Sequence, residues 1–585
     1  MSAVAGSTGR LPLVVGVSGH RAIRPGDEPA LEAAVGAIFD GLRAACPATP
    51  LVLLSPCAEG ADQLVARVGR GKGASLIVML PMARDLYERD FRGAARAAFE
   101  EFLAQPGVRT LEVPLLPGST PDSVAAASSD DRKLQYLRMG TFLARNCHVL
   151  IALWNGKPSS EPGGTAQIVA FKRTGRIDLP PRLEARIEAD EEPFRTRRNP
   201  LDHAECGVIH HVLTPNGEND AVDGSVGEHR LLRPDGLSEE GAAAAFDARN
   251  DEIQRRVEDF NVALERWGAS APAEIGGLDL PPDLLALRDF FARTDRLAAR
   301  LSRLTSNTLV LLCGTAFLAA AAFEVFAHLS DGRERLRTGA LCAHLLFLVL
   351  AGVFWGVARR LRLEDRFQDT RAVAEGLRVQ FFWRLAGLPN AAADHYLRKQ
   401  RSDLDWIRNA VRYFGLTTAP CSPPRLSRVF DDWVEREIVY YRARGEAHRR
   451  SHEALRRGAR LALSASVGTA GLWGCAAAAR RLFGVEQLES FVSGRTFDVF
   501  VFFVALAAVL GGLLHYANER RAHGALARQY DRILSFFLAA RANLAGPEPV
   551  EAPATLLELG KEALAENGDW VLLRRERPLQ VPHAA

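Results

Sequence analysis

Hydrophobic positions follow two different patterns along this chain. In the first half, apolar residues gather in short runs at Leu13–Val17, Leu51–Ser55, Ser75–Leu80, His148–Trp154 and Val208–Leu213, most of them closed by glycine, serine or proline. Between them, Leu31–Ala45, Ala61–Val68, Arg132–Asn146 and Ala166–Arg173 repeat their apolar positions with helical spacing. Short buried strands alternating with helices predict βαβ units, and therefore an α/β, Rossmann-like domain built on a mostly parallel, doubly wound sheet. The charged, proline-rich stretch Gly175–Ala204 reads as an insertion before the last strand, and the acidic, glycine-rich Gly217–Gly236 as a mobile connection.

The second half carries four long apolar stretches, Leu309–Leu329, Thr338–Ala358, Leu461–Ala479 and Val499–Tyr516. Each is close to the ~20 residues that a helix needs to cross a ~30 Å hydrocarbon core. They come as two close pairs, which predicts an all-α region with four transmembrane helices in two hairpins. Ser238–Trp267 is strongly helical, Pro272–Pro282 reads as a linker, and Leu284–Leu304 is an arginine-rich amphipathic helix that runs into the first span. Glu364, Arg366, Phe381 and Phe382 match Glu519, Arg521, Phe536 and Phe537 at a constant offset of 155 residues, so the two hairpin units read as a duplication. The resulting division is an α/β domain over 1–235, a helical connector over 236–304 and a first hairpin with its following helix over 305–388. A helical linker then covers 389–455, a second hairpin with its helix 456–545, and a tail 546–585.

Charge sets the orientation. Arg300, Arg303, Arg359 to Arg362, Arg456 to Arg460, Arg520 and Arg521 crowd the ends of the spans that carry the long segments, while the short hairpin links are less basic. The positive-inside rule then places both termini and the α/β domain in the cytoplasm. No signal peptide is visible in the first residues. The net charge of +3 argues against an extended nucleic-acid surface. The eight cysteines form no CxxC pair, which fits reduced thiols and no disulfide framework. Within the spans, Glu324, His328, His344 and His515 are the ionisable residues; Glu324 is the candidate for lining a polar pathway or reaching the interface, and the histidines for interhelical hydrogen bonds.

Three turns carry candidate chemistry. Gly16, Ser18, Gly19, His20 and Arg21 close the first strand, where small residues let backbone N–H groups approach an anion and Arg21 can neutralise a phosphate. Gly60, Ala61 and Asp62 follow the second strand; Asp62 either caps the next helix or contacts a ribose hydroxyl. Pro162, Gly163, Gly164 and Thr165 open a helix whose N–H groups and dipole suit a phosphate. All three fall at the carboxyl ends of predicted parallel strands, where open α/β sheets bind ligands. There is no Walker A sequence and no GxGxxG, which argues against a nucleotide-driven motor and an ordinary dinucleotide dehydrogenase. His210 and His211 lack a neighbouring acid or cysteine at metal spacing, so neither a metal nor another cofactor is called for.

Gly16–Arg21, Glu59–Asp62, Asn146–Gly156 and Gly163–Thr165 resemble the SLOG superfamily, the Rossmann-like fold shared by nucleotide sensors and by lysine-decarboxylase-like (LOG) phosphoribohydrolases. The likeness covers about Leu11–Pro215. Glu364–Phe382, Tyr396–Arg412, Trp433–Tyr441 and the tail from Leu559 through Trp570 to Arg577 and Pro578 resemble the SLATT group of membrane effectors in bacterial conflict systems. The resemblance implies a nucleotide-derived ligand, ADP-ribose-like or a cyclic nucleotide, held by the first half. It also implies a homo-oligomer in the bacterial inner membrane that permeabilises the bilayer in an antiphage, suicidal response. The LOG enzymes carry a PGGxGTxxE pattern; here the second glycine step is missing after Gly163, Gly164 and Thr165, and Gln167, Ile168 and Val169 supply no glutamate. This departure favours binding over hydrolysis, with a membrane-anchored LOG-type hydrolase of nucleotides or NAD as the alternative.

Overall fold

Alternation along the strands decides the architecture of the first half. In the computed structural model, Val15 and Val17 of β1 (Leu13–Gly19) pack on one face of a sheet with helices Glu28–Ala45, Ala61–Gly71 and Gly93–Ala104, while Val14 packs on the other with Asp130–Asn146 and Thr165–Thr174. The remaining strands are β2 (Leu51–Ser55), β3 (Ser75–Leu80), β4 (Arg109–Glu112), β5 (Val149–Trp154), β6 (Val208–Leu213) and β7 (His229–Leu232). The sheet order is β4-β3-β2-β1-β5-β6-β7, parallel except for β7. The chain winds outward from β1 through β2 and β3 to β4, then returns to place β5 on the other side of β1. The switch point expected of a doubly wound sheet therefore lies between β1 and β5. The structure describes residues 9–159, 161–188, 190, 194–195, 207–235, 241–268, 280–328, 333–397, 404–484, 488–492, 494–545 and 551–576. Most of the Pro272–Pro282 linker, Leu329 and the end of the tail with Arg577 and Pro578 lie outside the described residues.

Two expectations change. The stretch Gly217–Gly236 is not a loose connection: it contains β7, and Arg24 donates to the carbonyls of Gly217 and Asp220 at 2.9 and 2.7 Å. Helix Pro181–Glu188 forms inside the stretch read as an insertion, burying Leu183 and Ile187.

By compactness the chain divides in two. The first unit comprises Met1–Thr294 and Val373–Arg425; the second comprises Asp295–Ala372 and Leu426–Ala585. Within the first, Trp383, Tyr396 and Trp406 are fully buried, and Arg384 donates to the carbonyls of Thr418, Leu388, Asn390 and Gly415.

The second unit is all-helical. Its four apolar stretches lie in helices Pro282–His328, Glu334–Arg360, Arg436–Phe483 and Arg495–Arg521, each long and apolar enough to cross a membrane. Their large apolar side chains face outward: Val467, Leu472, Phe503 and Val349 are 72%, 71%, 64% and 62% exposed. A surface of that kind suits lipid rather than water. Where the helices touch, His344 Nδ1 lies 2.9 Å from the carbonyl of Ala319, and Ser466 Oγ donates to the carbonyl of Val504 at 3.0 Å. Spans two and four each end at a left-handed residue, Arg362 (φ +49°) and Ala522 (φ +52°), and a new helix starts at once, Leu363–Leu385 and His523–Leu544. These breaks are 160 residues apart. The 155-residue match thus pairs Glu364, just after one break, with Glu519, just before the other. The hairpin-break-helix plan repeats, but the matched residues do not occupy equivalent positions in it.

Candidate functional site

The three glycine-containing turns meet at the carboxyl ends of β1, β2 and β5. Ser18 Oγ lies 3.4 Å from Thr165 Oγ1, which joins the first turn to the third. The Ala61 N–H donates to the carbonyl of His20 at 3.0 Å, which joins the first to the second. Gly60 is required on two counts: its φ is +84°, and a Cβ there would stand 2.2 Å from the Arg21 carbonyl oxygen. Gly19 has a similar reason, since a Cβ would come within 2.3 Å of that of Ala61. These two glycines therefore let backbones approach one another. Gly16 sits inside β1 under helix Asp130–Asn146, where a Cβ would meet Leu143 and Cys147, so its role is packing rather than ligand contact.

In the third turn most backbone donors are already engaged. Gly163 is left-handed (φ +80°) and its N–H goes to Gln167 Oε1 at 3.0 Å. Gly164 is the N-cap of helix Thr165–Thr174 and supplies no side-chain cap. The Gly164 N–H donates to the Glu161 carbonyl at 3.2 Å and the Gln167 N–H to the Gly164 carbonyl at 3.0 Å, which leaves the Thr165 and Ala166 N–H groups and the helix dipole for an anion.

Side chains complete the site. The His20 ring nitrogen Nε2 accepts the Asn155 N–H at 3.1 Å, so the proton sits on Nδ1. Burial lowers the His20 pKa, with Asn155 and Asp220 opposing, and the ring is neutral at pH 7. Asp220 is tied to Asn155 Nδ2 at 2.9 Å and to Lys157 Nζ at 2.5 Å, which brings the β6–β7 connection onto the site's rim. Arg21 lies over the Tyr136 ring, 5.5 Å from its centroid. Burial works against its charge, but Tyr136, Tyr87 and Asp90 outweigh it and hold the guanidinium's pKa above its ordinary value.

Asp62 does not cap its helix; Gly60 occupies that position. The carboxyl is only 6% exposed, and its Oδ1 has no hydrogen-bond partner among the described residues. Burial pushes its pKa up to about 7, against the pull of Arg21 and of a backbone hydrogen bond from Ala58. A buried carboxyl beside an arginine, titrating near neutrality with an unused oxygen, is the least satisfied group of the site.

Sequence reasoning missed four residues that support Arg21. Tyr136 hydroxyl bonds to Asp90, Asp90 pairs with Arg132 at 2.7 Å, and the Tyr87 hydroxyl donates to the carbonyl of Pro56 at 3.1 Å. The only signal for them was the i,i+4 placement of Arg132 and Tyr136 at the start of a helix.

His210 and His211 are structural: His210 stacks on His229 of β7 with 3.0 Å between ring nitrogens, and His211 reaches the carbonyl of Trp154. No group of metal-ligating side chains occurs among the described residues. Glu324 stands in the last turn of its helix. Its carboxylate is 3.3 Å from His328 Nε2, and His328 Nδ1 is 3.8 Å from Asp498 at the start of the fourth span. These groups tie the ends of spans one and four together.

No protein-family model, curated protein or solved structure matches the chain. The fold defines the class: a Rossmann-like α/β domain joined to four helices long and apolar enough to cross a membrane.

Proposed function

We propose that the chain is a membrane effector whose α/β domain binds a nucleotide-derived signal and whose homo-oligomeric helical bundle then permeabilises the bacterial inner membrane. The observation that carries this reading is the meeting of three predicted anion-binding turns at the β1/β5 switch point, in a chain that also bears four lipid-suited helices. Arg21 and the first N–H groups of helix Thr165–Thr174 would hold phosphate, and Asp62 a ribose hydroxyl. The antiphage role rests on the SLOG and SLATT resemblance. Four spans per chain enclose too little space for a wide aqueous path, so several copies would close a ring.

The test is thermal-shift screening of the full-length protein in detergent against ADP-ribose and cyclic mono- and dinucleotides. Saturating ligand at about a hundredfold excess over Kd stabilises by roughly 2.7 kcal/mol. Arg21→Ala removes a charge-assisted contact worth about 1.5–3 kcal/mol and shifts the midpoint concentration upward accordingly. A ligand response unaltered by Arg21→Ala and Asp62→Asn, in folded protein, assigns the ligand elsewhere.

One observation favours the second reading, a LOG-type hydrolase. A carboxyl with a pKa of about 7 is poised for general acid–base work, and Asp62 is such a group. Chromatography of nucleotides and NAD incubated with the protein separates the readings: base release abolished by Asp62→Asn supports the enzyme.

A further inference from the structure

Spans three and four, in helices Arg436–Phe483 and Arg495–Arg521, run antiparallel in one register. Along their length the Trp473 ring packs on that of Phe497, and Ser466 Oγ donates to the Val504 carbonyl. A Cβ on Gly458 would stand 3.2 Å from Leu514 Cδ1. Further on, His452 Nδ1 lies 3.1 Å from Asn518 Oδ1, and His448 Nδ1 lies 2.8 Å from His523 Nδ1.

This register separates the arginines of span three into two heights. Arg450 stands level with Arg520, and the neighbouring Arg521 reaches Ser306 Oγ at 3.4 Å, one turn from Arg303. Thr305 Oγ1 lies 3.5 Å from the Leu363 carbonyl, which brings Arg360 to the same level. The four spans thus share one basic collar, the feature expected at a membrane surface. Arg456 and Arg460 lie six and ten residues beyond Arg450, about 9 and 15 Å at 1.5 Å per residue. There they are level with Leu514 and Leu510 of span four, and about 15 Å is half of a ~30 Å hydrocarbon core.

Both arginines are exposed, and neither has an ion-pair partner among the described residues. Arg457 beside them is paired with Glu453 at 2.7 Å. Side chains on a helix lean toward its N-terminus, which here is the collar end, so Arg456 can reach back to the headgroups. Arg460 is one turn deeper, and its Nε reaches the Arg456 carbonyl at 3.4 Å. An arginine at that depth is costly against lipid and belongs beside water or a partner.

The same face continues without a large side chain. Ser464, Gly468, Gly471 and Cys475 follow Arg460 at steps of three or four residues, all exposed, between the exposed Val467 and Leu472. Span three is also the least apolar of the four. Small residues let helices approach closely, so the stripe suits contact with another helix.

We infer that copies of span three meet along this stripe around the membrane path of the assembled protein, and that Arg456 and Arg460 make the path selective for anions. The inference rests on the permeabilising reading given above. Arginines of several copies at one height repel one another unless water and anions stand between them, and rings of arginine favour anions in pores.

The test is thiol accessibility in liposomes carrying the full-length protein, with Cys342→Ser and Cys475→Ser removing the exposed thiols of the spans. It needs neither ligand nor flux, so its failure is distinguishable from failure of the permeabilising reading. Ser464→Cys and Leu472→Cys are each treated with an anionic and a cationic methanethiosulfonate, both water-soluble, and rates are normalised to free cysteine. The expected result is modification of Ser464→Cys but not of Leu472→Cys, about tenfold faster with the anionic reagent. Arg460→Gln removes most of that preference, as does Arg456→Gln, a second position that keeps the test decisive where one variant fails to assemble. No reaction at Ser464→Cys, or equal rates at the two cysteines, overturns the proposal. So does the absence of an anionic preference, or a preference that the arginine variants leave unchanged.

Discussion

Replacing Asp62 by asparagine removes a deeply buried carboxylate oxygen that has no hydrogen-bond partner among the described residues. In the folded protein burial raises this carboxyl from 3.8 to about 7, so the fold binds its proton more tightly than the unfolded chain does. The penalty is therefore absent below pH 3.8, grows through the interval to about 7, and is complete above it. At 1.36 kcal/mol per pKa unit the full effect is about 4 kcal/mol, an upper figure for a single buried group. The first compact unit holds about 350 residues, and at about 2.1 cal/mol/K of unfolding entropy per residue this corresponds to roughly 5 °C in Tm. Asp62→Asn is thus predicted to melt at the same temperature as wild type near pH 4 and roughly 5 °C higher at pH 8. Differential scanning fluorimetry across that range, without ligand, reads the difference directly. A pH-independent difference, or a wild type that is the more stable at pH 8, refutes the assignment of Asp62 as a buried, unsatisfied acid.

Two further outcomes follow from the same geometry. Gly60→Ala forces a Cβ into the Arg21 carbonyl at a left-handed φ, and is expected to cost about 1–3 kcal/mol and to weaken nucleotide binding by displacing Arg21, read by thermal shift with and without ligand. Arg384→Ala strips the donors from four carbonyls, two of them buried, and burial already holds that guanidinium down to about 10; the variant is expected to lose about 3–5 kcal/mol and to accumulate as misfolded protein, measured by size-exclusion chromatography after extraction.

What the sequence revealed follows from burial. β2, β3 and β6 lie where their runs predict; β2 and β3 are covered on both faces and are almost wholly apolar, while β6 keeps two histidines between its apolar ends. β4 and β7 gave no such signal: they are the sheet's two edges, and Arg109–Glu112 and His229–Leu232 carry polar, largely exposed residues there. The three turns were legible because glycine beside a strand end is a local feature. Tyr136, Asp90 and Tyr87 were not, since only the winding of the sheet brings them to Arg21. The shift between the 155-residue match and the helix breaks at Arg362 and Ala522 was hidden too, because a left-handed arginine or alanine leaves no mark in composition.

The central claim is that occupancy of the α/β domain opens a path through the membrane. Its most direct test is solute release from liposomes carrying the purified full-length protein with its α/β domain outward, titrated with whichever nucleotide stabilises it. The account predicts release that saturates with nucleotide, from an oligomer, and a dose–response that Arg21→Ala moves about 10- to 100-fold toward higher concentration, equivalent to the about 1.5–3 kcal/mol of a charge-assisted contact. An oligomeric, correctly oriented sample that binds nucleotide and releases nothing contradicts it.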